Sequence, residues 1–330
     1  MSAVALPPVR PSALIPHNAA AKNLPPMTVG SIPARALVLL GVLTLVWGFN
    51  WIIVSVALRD FGPWTFRAIT LLVAVLTMFV ISRLRGNSLA VPREVRLRLF
   101  WAGAFNIAIW NVCTAYAVML IPSGHAAVIA FSMPLWAAII GFLFLGERLG
   151  FRHLVALAFG TAGVTLLMIE DFALFATAPL GLALGLLAAI VWAIGTFVQK
   201  RTLWNMPMVS LLFWQMLCGL VPIAIGAAIL ETPAEKIPGL LGIVATLFVG
   251  FVPLAIGMAS WFSIVKLLPT HVAALSTVII PVVAVLSGGF ILGEPLGFTQ
   301  YAALVATVIA LGLVLLVPER GPGKVPAVPE

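Results

Sequence analysis

Acidic side chains are scarce in this chain. Its 330 residues include 10 Asp and Glu against 18 Lys and Arg, and charged residues make up only 8% of the total. A soluble domain carries roughly a quarter charged residues, so this chain lacks the means to cover a water-exposed surface. No long apolar segment holds an acidic residue near its centre, so no Asp- or Glu-based proton site is visible. Cysteine is limited to Cys113 and Cys218, both inside apolar runs, which excludes a disulfide framework and a paired-thiol metal site. There is no Gly-rich phosphate loop followed by Lys and Ser or Thr, so ATP does not drive the protein directly. Gly-x-Ser-x-Gly and His-Glu-x-x-His are missing as well. These absences argue against an enzyme and imply no cofactor and no metal.

What is abundant is apolar: 62% of residues are hydrophobic and the mean hydropathy is +1.18. A membrane helix needs about 20 mostly apolar residues. Segments 35–57, 63–82, 98–120, 123–145, 151–169, 180–199, 209–230, 239–265, 270–292 and 298–317 meet that requirement, predicting an all-α membrane protein of ten transmembrane helices. Residues 1–34, rich in proline and without a continuous apolar core, read as a disordered tail and not as a cleaved signal peptide. The net charge of +8 does not point to nucleic acid, because the basic residues sit in short connections between apolar runs. Arg83, Arg85, Arg93, Arg96, Arg98, Arg148, Arg152, Lys200, Arg201 and Lys266 fall on one side of a ten-span chain, as do the basic residues of both tails. Excess Lys and Arg mark the cytoplasmic side, so both termini are expected there.

The chain repeats itself. Pro122, Ser123, Ala126, Ala127, Pro134, Gly146, Glu147 and Gly150 recur as Pro269, Thr270, Ala273, Ala274, Pro281, Gly293, Glu294 and Gly297, each pair 147 residues apart. One register across so many positions signals duplication. Five spans is an odd number, so the second copy should enter the membrane in the opposite sense. Inverted repeats give two related conformations, one open to each side, which is how many secondary transporters alternate access.

These features resemble the drug/metabolite transporter superfamily, EamA type. The resemblance rests on the 5+5 plan, the Pro…Gly-Glu-x-x-Gly ends of spans 4 and 9, Trp47-Gly48-Phe49-Asn50 in span 1 and Pro63-x-x-x-Arg67 opening span 2. It covers roughly residues 35–317, and the chain looks most like YddG-type amino-acid exporters of bacterial inner membranes. It implies two EamA-like halves, 35–170 and 180–317, followed by a cytoplasmic tail over 318–330. It also implies export of small metabolites, amino acids first among them, by a multi-pass inner-membrane protein. A single chain already holds both halves, so a monomer suffices and no obligate protein partner is expected.

At about 100° per residue, several spans stack rings with hydrogen-bonding groups on one face. Span 1 aligns Trp47, Asn50 and Trp51; span 3 aligns Asn106, Trp110 and Cys113, with Asn111 displaced. Span 4 aligns His125, Ser132 and Trp136, and span 6 aligns Trp192, Thr196 and Gln199. An amino acid needs polar partners for its charged ends and apolar surface for its side chain, so these residues are the candidate substrate contacts. Plain helix packing is the competing reading. Trp64, Trp101 and Trp204, near span ends, are assigned to the membrane interface. Pro134 and Pro281 near midspan are candidate hinges, and His125 and His271 are candidate gate residues. Arg67 reads as structural, pairing with Asp60 or reaching the interface, with an anion-binding role as the sharper alternative. Glu147 and Glu294 are expected to cap or link span ends, and Gly181 with Gly185 to pack helices closely.

Transport by facilitated diffusion or exchange fits best, with proton coupling left open. A nucleotide-sugar carrier would want several cavity cations, and a lipid-modifying enzyme would want clustered His, Asp or Glu at one depth; neither pattern is present.

Overall fold

The computed structural model describes residues 34–145, 151–170, 178–232, 237–265, 270–294 and 296–315. The two predicted tails and Glu147 lie outside the described residues. Every described element is helical: α1 (Ala34–Ala57), α2 (Pro63–Leu84), α3 (Arg96–Gly103), α4 (Trp110–Leu120), α5 (Ser123–Ala130), α6 (Met133–Leu145), α7 (Phe151–Glu170), α8 (Pro179–Lys200), α9 (Met208–Leu230), α10 (Leu240–Val249), α11 (Met258–Val265), α12 (Thr270–Ser287) and α13 (Phe298–Leu315). Pro63 and Pro179 open α2 and α8 at the position where a missing N–H does no harm.

Seven helices among the described residues are long and apolar enough to cross a membrane: Val38–Ala57, Pro63–Leu84, Arg93–Leu120, Ser123–Phe144, Pro179–Gln199, Met208–Leu230 and Leu240–Trp261. Shorter apolar helices cover Leu154–Gly163, Ile279–Leu292 and Phe298–Leu313. Large apolar side chains stand bare on the outside; Phe144, Leu240 and Phe298 are each more than three-quarters exposed. In water such a surface would aggregate, whereas lipid solvates it.

Two of these rods contain a widened, π-helical turn. Ala104–Ile109 joins α3 to α4, and Gly250–Gly257 joins α10 to α11. Pro253 lies in the second and has no N–H to give the ladder. The two turns sit at nearly the spacing of the sequence repeat. A third closes α12 at Gly288–Leu292. Span 4 is interrupted outright: α5 ends at Ala130 and α6 begins at Met133, just before Pro134. Pro134 has no N–H to bond back to Ala130, and beside the break the Ser132 hydroxyl donates to the Ile129 carbonyl at 2.6 Å. Pro281, its counterpart in the repeat, lies inside α12 without ending it. The two candidate hinges therefore differ locally.

Helix neighbours follow a simple rule. α2 packs along α9 and α7 along α13; α1 lies on α12 as α8 lies on α5 and α6; α8 lies on α4 as α1 lies on α10. Exchanging the two halves of the chain maps this set of neighbours onto itself. Close approach uses small residues: a Cβ at Gly181 would meet Leu120 at 2.8 Å, and one at Gly185 would meet Ile129 at 3.0 Å.

Two carboxylates pin helix starts. Glu231, just after α9, accepts from the backbone N–H groups of Trp64 and Thr65, both at 2.8 Å. Glu294 accepts from Ser123 N–H at 2.7 Å, Ser123 Oγ at 2.6 Å and Gly124 N–H at 3.1 Å. A carboxylate there satisfies orphan donors and complements the helix dipole. Gly293, at φ +70°, supplies the left-handed residue that turns the chain back so that Glu294 reaches α5. This is the capping role expected for Glu294.

Candidate functional site

Two of the buried apolar clusters flank the site. One gathers Trp51, Val54, Val118, Phe131 and Val249; the other gathers Leu71, Met78, Ile107, Leu212 and Met216. Between them lies a cavity of about 190 Å³, lined from both clusters. That is below the roughly 300–1,000 Å³ of sites for drug-sized ligands, so it suits a small metabolite. A roomier groove of about 350 Å³ between α7 and α13 is lined by apolar and aromatic side chains such as Phe159, Phe298 and Tyr301, with none of this polar chemistry.

Six of the residues expected at the site meet there: Trp47, Asn50 and Trp51 from α1, Asn106 from the first widened turn, Trp110 from α4 and Trp192 from α8. Trp47 is held by a hydrogen bond from Nε1 to the Pro253 carbonyl at 3.2 Å and leans on Trp261, ring centres 5.4 Å apart. Trp110 and Trp192 meet at 4.7 Å with planes tilted by 56°. Asn106 Nδ2 donates to the Trp192 carbonyl at 3.1 Å. Asn50 Oδ1 and Asn106 Oδ1 are buried with no hydrogen-bond donor among the described residues. A buried acceptor left open is uncommon and asks for a reason.

Arg67 also lines the cavity, buried at 5% exposure. Its Nε donates to the Asn111 carbonyl at 2.9 Å and its Nη2 to Thr114 Oγ1 at 3.0 Å, and its guanidinium lies 4.9 Å from the Phe66 ring centre. Asp60, offered above as its partner, is exposed and sits instead against Gly239 and Gly242 at the start of α10. Neither the Asp60 pairing nor the reach to the interface holds: the side chain turns inward.

The other expected residues lie elsewhere. Thr196 bonds back to the Trp192 carbonyl at 2.8 Å, so it supports the site from behind. Gln199 Nε2 donates to Gln215 Oε1 at 2.9 Å, away from the cavity. Ser132 accepts from Trp136 Nε1 at 3.2 Å, within the interrupted span. His125 is buried at a separate small pocket with Gly124, Val128, Val285, Glu294 and Gln300. His271 falls in α12, but its side chain lies outside the described residues. Of the assigned interface rings, Trp101 is exposed, while Trp64 donates to the Tyr116 hydroxyl at 2.9 Å and Trp204 to the Gln199 carbonyl at 3.1 Å.

Sequence reasoning missed Asn111, Thr114, Phe131, Met133, Pro253, Met258 and Trp261, all of which line the cavity. The first widened turn explains two of them. It inserts extra arc into span 3, so Thr114 comes round to the cavity where an unbroken 100° stripe puts Cys113. Asn111, displaced from that stripe, comes into line as well.

Comparison with known proteins agrees with this architecture. The EamA-like transporter family matches the chain twice, over residues 34–169 and 179–316. The chain is 26% identical to the transporter YvbV of Bacillus subtilis over 287 residues, covering 85% of this chain and 91% of the relative. It is 26% identical to an Escherichia coli protein named "Probable amino-acid metabolite efflux pump", covering 83% and 93%, and 25% identical to the E. coli inner membrane transporter YedA, covering 83% and 88%. One solved crystal structure, 19% identical, superposes with a TM-score of 0.61 over 86% of this chain and 98% of its own, a likeness of fold. With both of its halves matched, the chain belongs to the EamA-like transporter family.

Proposed function

We propose that this protein is a secondary transporter that exports small metabolites, most specifically aromatic and other neutral amino acids, by alternating access about the central cavity. The observation that carries the reading is the cavity itself. It is small, lies between the two halves and is walled by five indoles, three asparagine amides and one guanidinium. Rings offer apolar surface and cation-attracting faces, and the amides and Arg67 offer polar partners. Ten spans in two inverted five-helix halves, with cytoplasmic termini in a bacterial inner membrane, complete the proposal. The 147-residue repeat, the double family match and the neighbour pattern that survives exchange of the halves all support it. The widened turns and the interrupted span 4 put irregular backbone where it lines a cavity, as membrane proteins require. A relative named for amino-acid metabolite efflux supports the substrate class.

The test is exchange of radiolabelled phenylalanine, threonine and methionine in proteoliposomes, with and without a pH gradient. Saturable exchange is expected, reduced at least tenfold by Trp47→Ala and Asn50→Ala in protein that still folds. No flux above empty vesicles for any of the three would remove the amino-acid assignment and leave another small metabolite or drug as the cargo.

A further inference from the structure

We infer that Arg67 anchors the carboxylate of the transported molecule and that Asn50 Oδ1 receives its ammonium group, so the cavity binds an α-amino-acid zwitterion in one fixed orientation. The inference rests on the transport reading above and adds to it which residue holds which end.

Arg67 carries an unbalanced charge. Arg67 is buried within an apolar helix, where a cation is expensive unless it is compensated. Its partners here are neutral: one backbone carbonyl, one hydroxyl and one ring face. Among the described acidic side chains, Glu231 and Glu294 are committed to helix starts and Asp60 lies against Gly239 and Gly242. None of them, nor Glu94, lines the cavity. A guanidinium presents two forked faces. The Nε–Nη2 face is taken by Asn111 and Thr114, which also fixes the plane of the group. The Nη1–Nη2 end has no acceptor among the described residues. That end is a preoriented two-donor fork in a cavity wall, and a carboxylate is the anion whose geometry matches it.

The second end of the ligand follows from Asn50. Its Oδ1 is buried without a donor, although the residue lines the same cavity. A carbonyl oxygen can accept from an ammonium and cannot donate to a carboxylate, so the two sites are not interchangeable. Arg67 on α2 and Asn50 on α1 reach the cavity from helices that both pack on α4. Between and beyond them stand the indoles of Trp47, Trp110, Trp192 and Trp261, which suit an apolar or aromatic side chain. A hydrogen bond to a charged group contributes enough that its loss weakens binding by about 10- to 100-fold.

The experiment titrates the purified full chain in nanodiscs, following tryptophan fluorescence, with L-phenylalanine, L-phenylalaninamide and 3-phenylpropionate. Binding is read directly, so variants that no longer transport are still informative. The wild type is expected to prefer phenylalanine to each analogue by at least tenfold. Arg67→Gln should abolish the preference over the amide and keep the preference over 3-phenylpropionate; Asn50→Leu should do the reverse. Equal binding of phenylalanine and its amide by the wild type overturns the anchor even if amino-acid exchange in proteoliposomes is robust. Failure of all three ligands to bind, with no exchange, overturns the amino-acid reading on which the anchor rests. If Arg67→Gln does not fold, Arg67→Lys, which keeps the charge but loses the fork, should keep part of the preference over the amide. An undiminished preference in Arg67→Lys would count against the bidentate fork, and the wild-type panel decides the anchor without any variant.

Discussion

Replacing Glu294 with alanine should loosen the junction between α12 and α5, and the structure sets the size of the effect. One carboxylate accepts three hydrogen bonds, at 2.7, 2.6 and 3.1 Å, from the first two residues of α5. Hydrogen bonds to charged groups contribute roughly 1.5–3 kcal/mol each, and loss of an N-terminal cap costs about 0.5–2 kcal/mol. The three bonds share one group at a half-buried site and water can replace part of them, so the sum is not additive. A loss of about 2–4 kcal/mol is expected, equivalent to a fall in melting temperature of at least about 3 °C. The assay exploits the two thiols: Cys113 is buried and Cys218 half-buried, so a thiol-reactive fluorophore reports their exposure as solubilised protein is heated. Glu294→Gln, which keeps one acceptor oxygen, should fall between alanine and wild type. Glu94→Ala, at an exposed position in the turn before α3, should stay within about 0.5 kcal/mol of wild type. Identical melting of Glu294→Ala and wild type would refute the assignment of this carboxylate as a helix anchor.

Two further outcomes follow from the site. A Cβ at Gly195 would collide with the Asn106 amide, so Gly195→Val should displace Asn106 from the Trp192 carbonyl and weaken substrate binding at least tenfold; Gly41→Ala, facing open space, should leave it unchanged, as a binding titration would report. Gln199→Met removes the hydrogen bond to Gln215 and should destabilise the fold by about 1–2 kcal/mol while substrate affinity stays within twofold, because Gln199 does not line the cavity.

How far the sequence discloses this molecule depends on how regular each helix is. Hydropathy located the helical segments well, because lipid demands continuous apolar runs with their backbone bonds satisfied internally. In span 1, an unbroken helix, Trp47, Asn50 and Trp51 of the 100° stripe all line the cavity. In span 3 the widened turn Ala104–Ile109 shifted the stripe, and Thr114 faces the cavity in place of Cys113. Span 4 fails more completely, since the interruption at Phe131–Ser132 uncouples the faces of α5 and α6. His125 and Trp136, stacked on one stripe by periodicity, belong to different environments, and Phe131 and Met133 beside the break reach the cavity. Arg67 was visible as a lone cation, but its inward direction depends on acceptors from α4, a tertiary contact that sequence spacing does not encode. Glu294 was legible as a capping residue because the Gly-Glu pair carries its own turn.

If the cavity between the halves is the path of the cargo, bound cargo must shield the residues that line it. Substrate protection tests this most directly: Met133→Cys in a Cys113→Ala, Cys218→Ala background, reconstituted in liposomes and reacted with a small maleimide. Met133 lines the cavity and is half-buried, so steady labelling is expected, slowed severalfold by saturating phenylalanine. An unchanged labelling rate, in vesicles that still exchange phenylalanine, would place the path elsewhere.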